Sequence, residues 1–458
     1  MNLMHVPRSS FLTPSAIPDS FCCSSTKNLL SIHGLLAAYV AYDEAFTSKS
    51  GKYAAWKATW PSLDDFRASL PLLWSDRCRG ECGPWREKTL ELDGISPSNS
   101  SEHVPKSSEE DASFSFLPAS MLRMLDHQTF KYRQDFHMAI SLIPSAENAY
   151  RQSPPHAQDS FKYGWCIVNT RCLYYDHPLS PNQSTQRGND SYLANDASPI
   201  SPTRAATSNH FMVLCPVIDL LNHTANSTSA CKVTHNRYGF TVAAQAPAAA
   251  EDEEIFVCYG PHSNDFLFVE YGFVLPGEEN THDSISLDAV ILPTINPEQR
   301  RRADAKGYLG EYTLFSPAAN RGIGDVCWRT EVIARITILA AEQWEGLVDG
   351  LLSEDELEPD VEDKANALIR TWVGTMHKQA ERSVRALQRI GDDQLELTRL
   401  FGDDTNHTTA VSLMRNDRAE PTIIHGETQI PRRRYALVLE RWRQILRICQ
   451  SYLCRDRS

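Results

Sequence analysis

Three short motifs follow one another in the segment from Val213 to Val274, and their order constrains this chain more than any other feature. The first motif is Asp219-Leu220-Leu221-Asn222-His223. The second is Cys258-Tyr259-Gly260, at the end of an apolar run, and the third is Tyr271-Gly272-Phe273. Each motif alone occurs by chance in many proteins. All three in this order and at this spacing form a specific combination.

This combination resembles the catalytic half of SET-domain protein methyltransferases of the split-SET class, typified by Rubisco large-subunit methyltransferase. The resemblance implies an α+β protein: a SET-type β fold with a helical insertion, followed by an all-α C-terminal substrate-binding domain. We expect the SET domain at residues 1–283, with its insertion at about 27–150. We expect the helical domain at 284–458.

Apolar periodicity predicts the elements that surround the motifs. A buried helix is expected at Lys27–Tyr42, and one or two helices at Met121–Ile143. Polar stretches rich in Ser and Pro predict disordered loops at about 95–115 and 177–208. β-branched and aromatic residues predict short strands at Gly239–Ala244 and Glu254–Tyr259. Apolar residues at three- and four-residue steps predict amphipathic helices at Val332–Leu339, Ile369–Leu387 and Leu439–Cys449.

Composition narrows the class of protein. Charged residues make up 22% and apolar residues 41% of the sequence, as in ordinary soluble domains. No apolar run reaches the roughly twenty residues of a transmembrane helix, and no secretory signal is visible. The 12 cysteines are scattered rather than paired, which predicts reduced thiols in the cytosol or nucleus. Cys78 and Cys82 lack a second ligand pair at zinc spacing, so no metal is expected.

Charge and motifs also exclude several functions. A net charge of −13 argues against a nucleic-acid partner and fits a basic, lysine-containing protein segment as substrate. The sequence contains no P-loop, no G-x-G-x-x-G and no G-x-S-x-G motif, which argues against nucleotide hydrolysis, Rossmann chemistry and serine hydrolysis. We expect a monomer with no membrane partner.

Methyl transfer from S-adenosylmethionine to an amine requires the neutral amine, whereas free lysine, with a pKa of about 10.4, is mostly charged. A weakly polar channel favours the free base, and tyrosine or carbonyl oxygens orient it without adding charge. The family's catalytic tyrosine matches Tyr259, which we therefore expect beside the reacting nitrogen.

The resemblance also implies a cofactor site. Asn222 and His223 match the family's Asn-His pair, and Asp219, Leu220 and Leu221 lead into it. Arg171 matches an arginine that approaches the cofactor carboxylate, although a salt bridge inside the domain is an equal alternative. The residues expected to close over the cofactor and the lysine channel are Tyr271, Gly272 and Phe273, together with Tyr259.

One part of the family pattern has no counterpart. The family's SET domain opens with a Gly-rich strand pair that cradles the cofactor, whereas here Met4–Ser10 resembles the segment that follows it. An N-terminally shortened SET domain is therefore expected. Two alternatives stay open: a SET-like peptide-binding module without catalysis, and a protein-histidine methyltransferase.

Overall fold

The structure is a computed structural model that describes residues 2–74, 113–175, 212–244, 253–277, 279–319, 325–348, 358–401 and 429–455. The chain forms two compact units, each assembled from two stretches of sequence. The first contains Met1–Leu63 and His127–Tyr259, and the second contains Asp64–Asp126 and Gly260–Ser458.

The described elements have the following bounds. The strands are β1 (Asn2–Pro7), β2 (Cys172–Tyr174), β3 (Met212–Leu214), β4 (Asn222–His223), β5 (Lys232–Asn236), β6 (Gly239–Ala243), β7 (Phe256–Val257), β8 (Ser284–Ser286), β9 (Thr313–Phe315) and β10 (Asp325–Val326). The α-helices are α1 (Ser24–Lys27), α2 (Ile32–Tyr42), α3 (Glu44–Thr47), α4 (Ala54–Lys57), α5 (Leu63–Ser69), α6 (Ala119–Leu142), α7 (Pro144–Gln152), α8 (Pro154–Arg171), α9 (Asn264–Tyr271), α10 (Asp288–Ile291), α11 (Pro297–Ala305), α12 (Trp328–Ile338), α13 (Ala341–Val348), α14 (Val361–Phe401) and α15 (Gln429–Leu453). Short 3-10 helices lie at Arg8–Ser10, Pro14–Ala16, Pro71–Leu73, Phe114–Phe116, Ile218–Leu220 and Leu292–Thr294.

Small sheets form the β part of the first unit. Strand β6 lies between β1 and β5 and is antiparallel to both, β2 pairs antiparallel with β3, and β4 pairs in parallel with β7. Alternating residues of these strands point into one apolar core, because successive side chains of a strand face opposite sides. The buried members of that core are Val6, Phe11, Tyr175, Val213, Cys215, Ile218, Phe240, Val242 and Val257.

The helices of the first unit pack around α2, which is apolar on every side and almost wholly buried. Helix α8 lies against it at Gly164, where a Cβ would meet the carbonyl oxygen of Ala37. The Asp135 carboxylate is buried beside them and accepts hydrogen bonds from Ser31 Oγ and Trp165 Nε1. These bonds satisfy a group that would otherwise be costly to bury.

The second unit is mainly helical. Strand β9 pairs antiparallel with β8 and with β10, and the long helices α14 and α15 pack along each other. Both helices bury apolar side chains at helical spacing, as the sequence pattern predicts. They include Ile369, Val373, Val384, Leu387, Trp442, Ile445 and Cys449.

The predicted α+β class is confirmed, with small sheets and a helical C-terminal region. The region from residue 284 onward also carries the sheet β8–β10, whose three short strands are too brief to show periodicity. The predicted helix at Lys27–Tyr42 begins at Ile32, because the Ser31 side chain accepts a hydrogen bond from Gly34 N and caps it there.

Some predictions fall on residues that the structure does not describe, and the domain boundary stays untested. The two predicted loops lie outside them, apart from residues 113–115, and so do Cys78 and Cys82. The domain boundary expected at 283/284 stays a prediction; it lies inside the second compact unit. In the described part of the chain, no helix has both the length and the apolar character needed to cross a membrane.

Candidate active site

A strained turn leads into the first motif. Val217 has φ 74° and ψ −49°, and the 3-10 helix Ile218–Leu220 follows it. Three backbone hydrogen bonds hold this turn: Asp219 N to Cys215 O, Leu220 N to Val217 O, and Leu221 N to Ile218 O. Within the turn the Ile218 side chain is buried in the core. The turn therefore fixes where the backbone of Leu221 and the next strand begin.

Strand pairing brings the first and second motifs together. Asn222 in β4 pairs with Phe256, and His223 pairs with Val257 in β7. Because this pairing is parallel, the residues that follow the two strands leave the sheet at the same end. Tyr259 N donates a 3.0 Å hydrogen bond to His223 Nδ1, and the two rings lie 5.1 Å apart. The imidazole of one motif thus holds the backbone of the other.

The Tyr259 hydroxyl group is engaged by the first motif as well. It donates a 2.7 Å hydrogen bond to the carbonyl oxygen of Leu221. With its proton committed to that carbonyl, the phenol oxygen keeps lone pairs to accept a hydrogen bond. Burial raises the pKa of Tyr259 to about 12. The Arg171 charge lowers this pKa, and the Asp219 and Glu254 charges raise it. Tyr259 is therefore a neutral acceptor at physiological pH.

Asp219 carries the buried charge of this site. Its side chain is fully buried, and Oδ2 accepts hydrogen bonds from the indole nitrogens of Trp56 (2.9 Å) and Trp60 (3.1 Å). Burial raises the pKa of its carboxyl group, against the lowering effects of Trp56, Arg171 and Trp60. Oδ1 has no hydrogen-bond partner among the described residues.

Arg171, the last residue of α8, lies against Asp219. Its Nη1 donates to the Asp219 carbonyl oxygen at 2.6 Å and lies 3.7 Å from the carboxylate Oδ2. The salt bridge weighed as an alternative role is thus present. Nε is buried and has no hydrogen-bond partner in the described part of the chain, so its N–H group is not used by this contact.

Asn222 faces solvent and donates through Nδ2 to Glu254 Oε1. His223 is buried. Of the other predicted residues in this motif, Leu221 contributes the carbonyl that binds Tyr259, and Leu220 is 44% exposed.

The third motif lies in the second unit, at the end of α9. Gly272 caps the helix in a left-handed conformation, φ 79°, which glycine adopts without strain. A Cβ there would also meet Ser69 Oγ at 2.9 Å. The rings of Tyr271 and Phe273, on either side of it, lie 6.2 Å apart. The cofactor role of these three residues stays a prediction.

Three contacts of the site escape the motifs. Trp56 and Trp60 fall inside the predicted helical insertion at about 27–150, and Glu254 falls in a predicted strand. Trp56 lies in α4 and Trp60 in the turn that follows it; buried indole N–H groups need acceptors. The pair of tryptophans was the available signal for a buried carboxylate partner; no comparable signal marks Glu254.

No family model matches this chain, but its sequence is similar to several characterised proteins. Ribosomal lysine N-methyltransferase set11 of Schizosaccharomyces pombe is 31% identical over 156 residues, 34% of this chain and 32% of that protein. Human SET domain-containing protein 4 is 24% identical over 53% of this chain and 50% of its own length. Ribosomal lysine N-methyltransferase 2 of Saccharomyces cerevisiae is 23% identical over 69% and 60%.

The chain thus spans between about a third and three fifths of the length of these curated relatives. Among solved structures, the SET domain of LSMT bound to lysine and AdoHcy aligns with 100% of this chain and 83% of that one, at 12% identity and a TM-score of 0.47. The sequence comparisons agree with the resemblance expected from the motifs: parts of this chain are similar to SET domain-containing protein 4 and to two ribosomal lysine N-methyltransferases.

Proposed function

We propose that this chain is an S-adenosylmethionine-dependent protein N-methyltransferase that acts on lysine. The observation that carries the proposal is the Tyr259 hydroxyl group, which donates to the Leu221 carbonyl and remains neutral. A neutral phenol oxygen accepts a hydrogen bond from an amine without adding a negative charge that would favour the protonated amine. That property suits a reaction in which the amine must be uncharged to attack.

The residues around Tyr259 fit the methyl donor. S-adenosylmethionine, when bound, supplies an electrophilic methyl group and carries a carboxylate and polar groups. Arg171 has the unpartnered Nε donor, and an arginine suits a carboxylate. Asn222 is exposed and offers its amide. We propose that these two residues bind the donor and that His223 holds the Tyr259 backbone. The family resemblance makes Tyr271, Gly272 and Phe273 further candidates for contact with the cofactor.

The substrate we propose is a basic, lysine-containing protein segment. The net charge of −13 supports it, since an acidic protein attracts a cationic chain. Two of the similar proteins are named ribosomal lysine N-methyltransferases. Lysine-rich ribosomal protein segments are therefore the first substrates to try.

The experiment is transfer of isotopically labelled methyl groups to purified ribosomal proteins, with each labelled residue identified by mass spectrometry. The proposal expects label on the lysine Nε. Calorimetric titration of the same protein with S-adenosylmethionine measures donor binding independently of the substrate chosen.

Each outcome identifies one of the alternatives. Label on histidine rather than lysine would identify a protein-histidine methyltransferase. Absence of heat in the titration, together with binding of a lysine-rich peptide, would identify a SET-like binding module. Either result would overturn the lysine proposal.

A further inference from the structure

The turn before the first motif holds a valine in a conformation that valine rarely adopts. Val217 has φ 74° and ψ −49°, close to the strained γ-turn. A β-branched side chain at positive φ is an outlier that persists only where the surroundings enforce it. Glycine or asparagine would relieve the strain. The presence of valine therefore calls for a reason that lies in its side chain.

Packing inside the fold does not supply that reason. Val217 is 50% exposed as a residue, and Leu220, at the other end of the turn, is 44% exposed. The two residues between them point inward: Ile218 is buried in the core, and the Asp219 carboxylate accepts from two indoles. The turn is thus anchored by its middle residues and presents two apolar side chains outward.

The same turn leads directly to the proposed site of methyl transfer. Leu221, its next residue, carries the carbonyl that accepts from the Tyr259 hydroxyl group. A 3-10 helix rises about 2 Å per residue, so Val217 lies roughly 8 Å along the turn from Leu221. An extended peptide advances about 3.3 Å per residue. When the target lysine of a substrate lies beside Tyr259, a substrate residue two or three positions away from that lysine is therefore within reach of Val217.

We propose that Val217 and Leu220 form an apolar edge that selects the substrate, by contacting an apolar side chain two or three residues from the target lysine. The inference rests on the proposed lysine methyltransferase function and adds a specificity to it. The strain at Val217 then serves to hold the side chain outward beside the reacting group.

The test compares wild type with Val217→Gly on synthetic peptides that carry one central lysine. One set has leucine two or three residues from the lysine on either side, and a matched set has glycine there. Val217→Gly should raise KM for the preferred leucine peptide by about fivefold, as expected for losing a half-buried contact of this size. The kcat value, the KM for glycine peptides and the affinity for S-adenosylmethionine should not change.

Stability separates this role from a structural one. Glycine accepts the positive φ, so the melting temperature of Val217→Gly should equal or exceed that of wild type. Val217→Asn, which also tolerates this conformation, should reproduce the KM effect and serves if the glycine variant does not fold. Leu29→Ala, at a side chain that is 63% exposed in the loop after α1, is the control and should leave KM unchanged.

Equal KM values for wild type and both Val217 variants, in an active enzyme, would overturn the apolar edge and leave the proposed function standing. Wild-type protein that methylates no peptide and no ribosomal protein would overturn the proposed function, and the edge with it.

Discussion

At the scale of single residues, the Asp219 carboxylate is the group whose environment departs most from water. Both indoles donate to one of its oxygens, Arg171 lies 3.7 Å from that same oxygen, and the other oxygen has no partner in the described ranges. Burying a charge with incomplete hydrogen bonding is costly. This cost raises the pKa of Asp219. The raised pKa in turn makes the stability of the fold depend on pH.

We predict that Asp219→Asn changes this pH dependence. A raised pKa means that the folded protein binds the Asp219 proton more tightly than the unfolded chain. Protonated Asp219 therefore stabilises the folded protein below the ordinary carboxyl pKa of 3.8. This stabilisation is lost as pH rises through the pKa that Asp219 has in the folded protein. Asparagine does not titrate, and its amide oxygen still accepts from the indoles. Relative to wild type, Asp219→Asn should gain stability as pH rises from about 4 to about 7.

Chemical denaturation across that pH range is the measurement. Asp64→Asn, at a carboxylate whose side chain is 70% exposed, is the matched surface control for the same substitution. A constant difference between Asp219→Asn and wild type at every pH would contradict the prediction.

The motifs predicted the site unevenly at this scale. Asn222, His223 and Tyr259 belong to short sequence patterns, and the β4–β7 pairing brings them together, while their roles stay predictions. Trp56 contacts Asp219 across 163 positions of sequence. Such a contact depends on how an insertion folds back, and local patterns do not encode it. The exposure of Val217 and Leu220 was equally hidden, because apolar residues in such a run look like core.

At the scale of elements, α15 carries a buried polar cluster in the second unit. Arg441 is fully buried; its Nε donates to Asp265 Oδ1 at 2.6 Å and its Nη1 to Asp283 Oδ2 at 2.8 Å. Gln444, one turn later, accepts from Asn264 Nδ2 and donates to the Leu275 carbonyl. The cluster thus binds the start of α9 and the chain beyond Phe273, on both sides of the third motif.

We predict that Arg441→Leu is strongly destabilising, because it leaves the Asp265 and Asp283 carboxylates buried without a cation. Removal of one partner from a buried ion pair costs about 3–5 kcal/mol. Arg447→Leu, on the same helix, is the control: its ion pair with Glu440 is 53% exposed on the arginine side, and such pairs contribute about 1 kcal/mol or less. Urea denaturation of the two variants checks this. A cost for Arg441→Leu no larger than that for Arg447→Leu would refute the role of the cluster.

In this region the sequence pattern predicts the helices, but it does not predict the polar contacts between them. Periodic apolar residues indicated α14 and α15, because helix burial follows a 3.6-residue repeat. Arg441 sits inside such a pattern as one basic residue among several. Its burial depends on two carboxylates that lie 158 and 176 positions away, which no local pattern encodes.

At the scale of the whole molecule, the charge of the chain bears on its substrate. Acidic residues number 58 and basic residues 45, so a cationic peptide is attracted over a distance set by the salt concentration. The Debye length is about 10 Å at 0.1 M salt and shorter above it. We predict that kcat/KM for lysine-rich segments falls as salt rises. The matched control is a peptide with one lysine and no other charge, for which the fall should be smaller. Equal salt dependence for the two substrates would exclude electrostatic steering.

The central claim is that Tyr259 orients a lysine amine for methyl transfer, and single-turnover transfer by wild type and Tyr259→Phe tests it most directly. Phenylalanine keeps the ring that packs beside His223 but removes the hydroxyl group that contacts Leu221. Loss of a positioned hydrogen bond that matters mainly in the transition state costs roughly 2–4 kcal/mol, a rate decrease on the order of a hundredfold or more. Asn222→Ala should instead weaken donor binding, which separates binding from chemistry. We predict that Tyr259→Phe folds, binds S-adenosylmethionine like wild type and transfers its methyl group to lysine about a hundredfold more slowly. Transfer at the wild-type rate by that folded variant would contradict it.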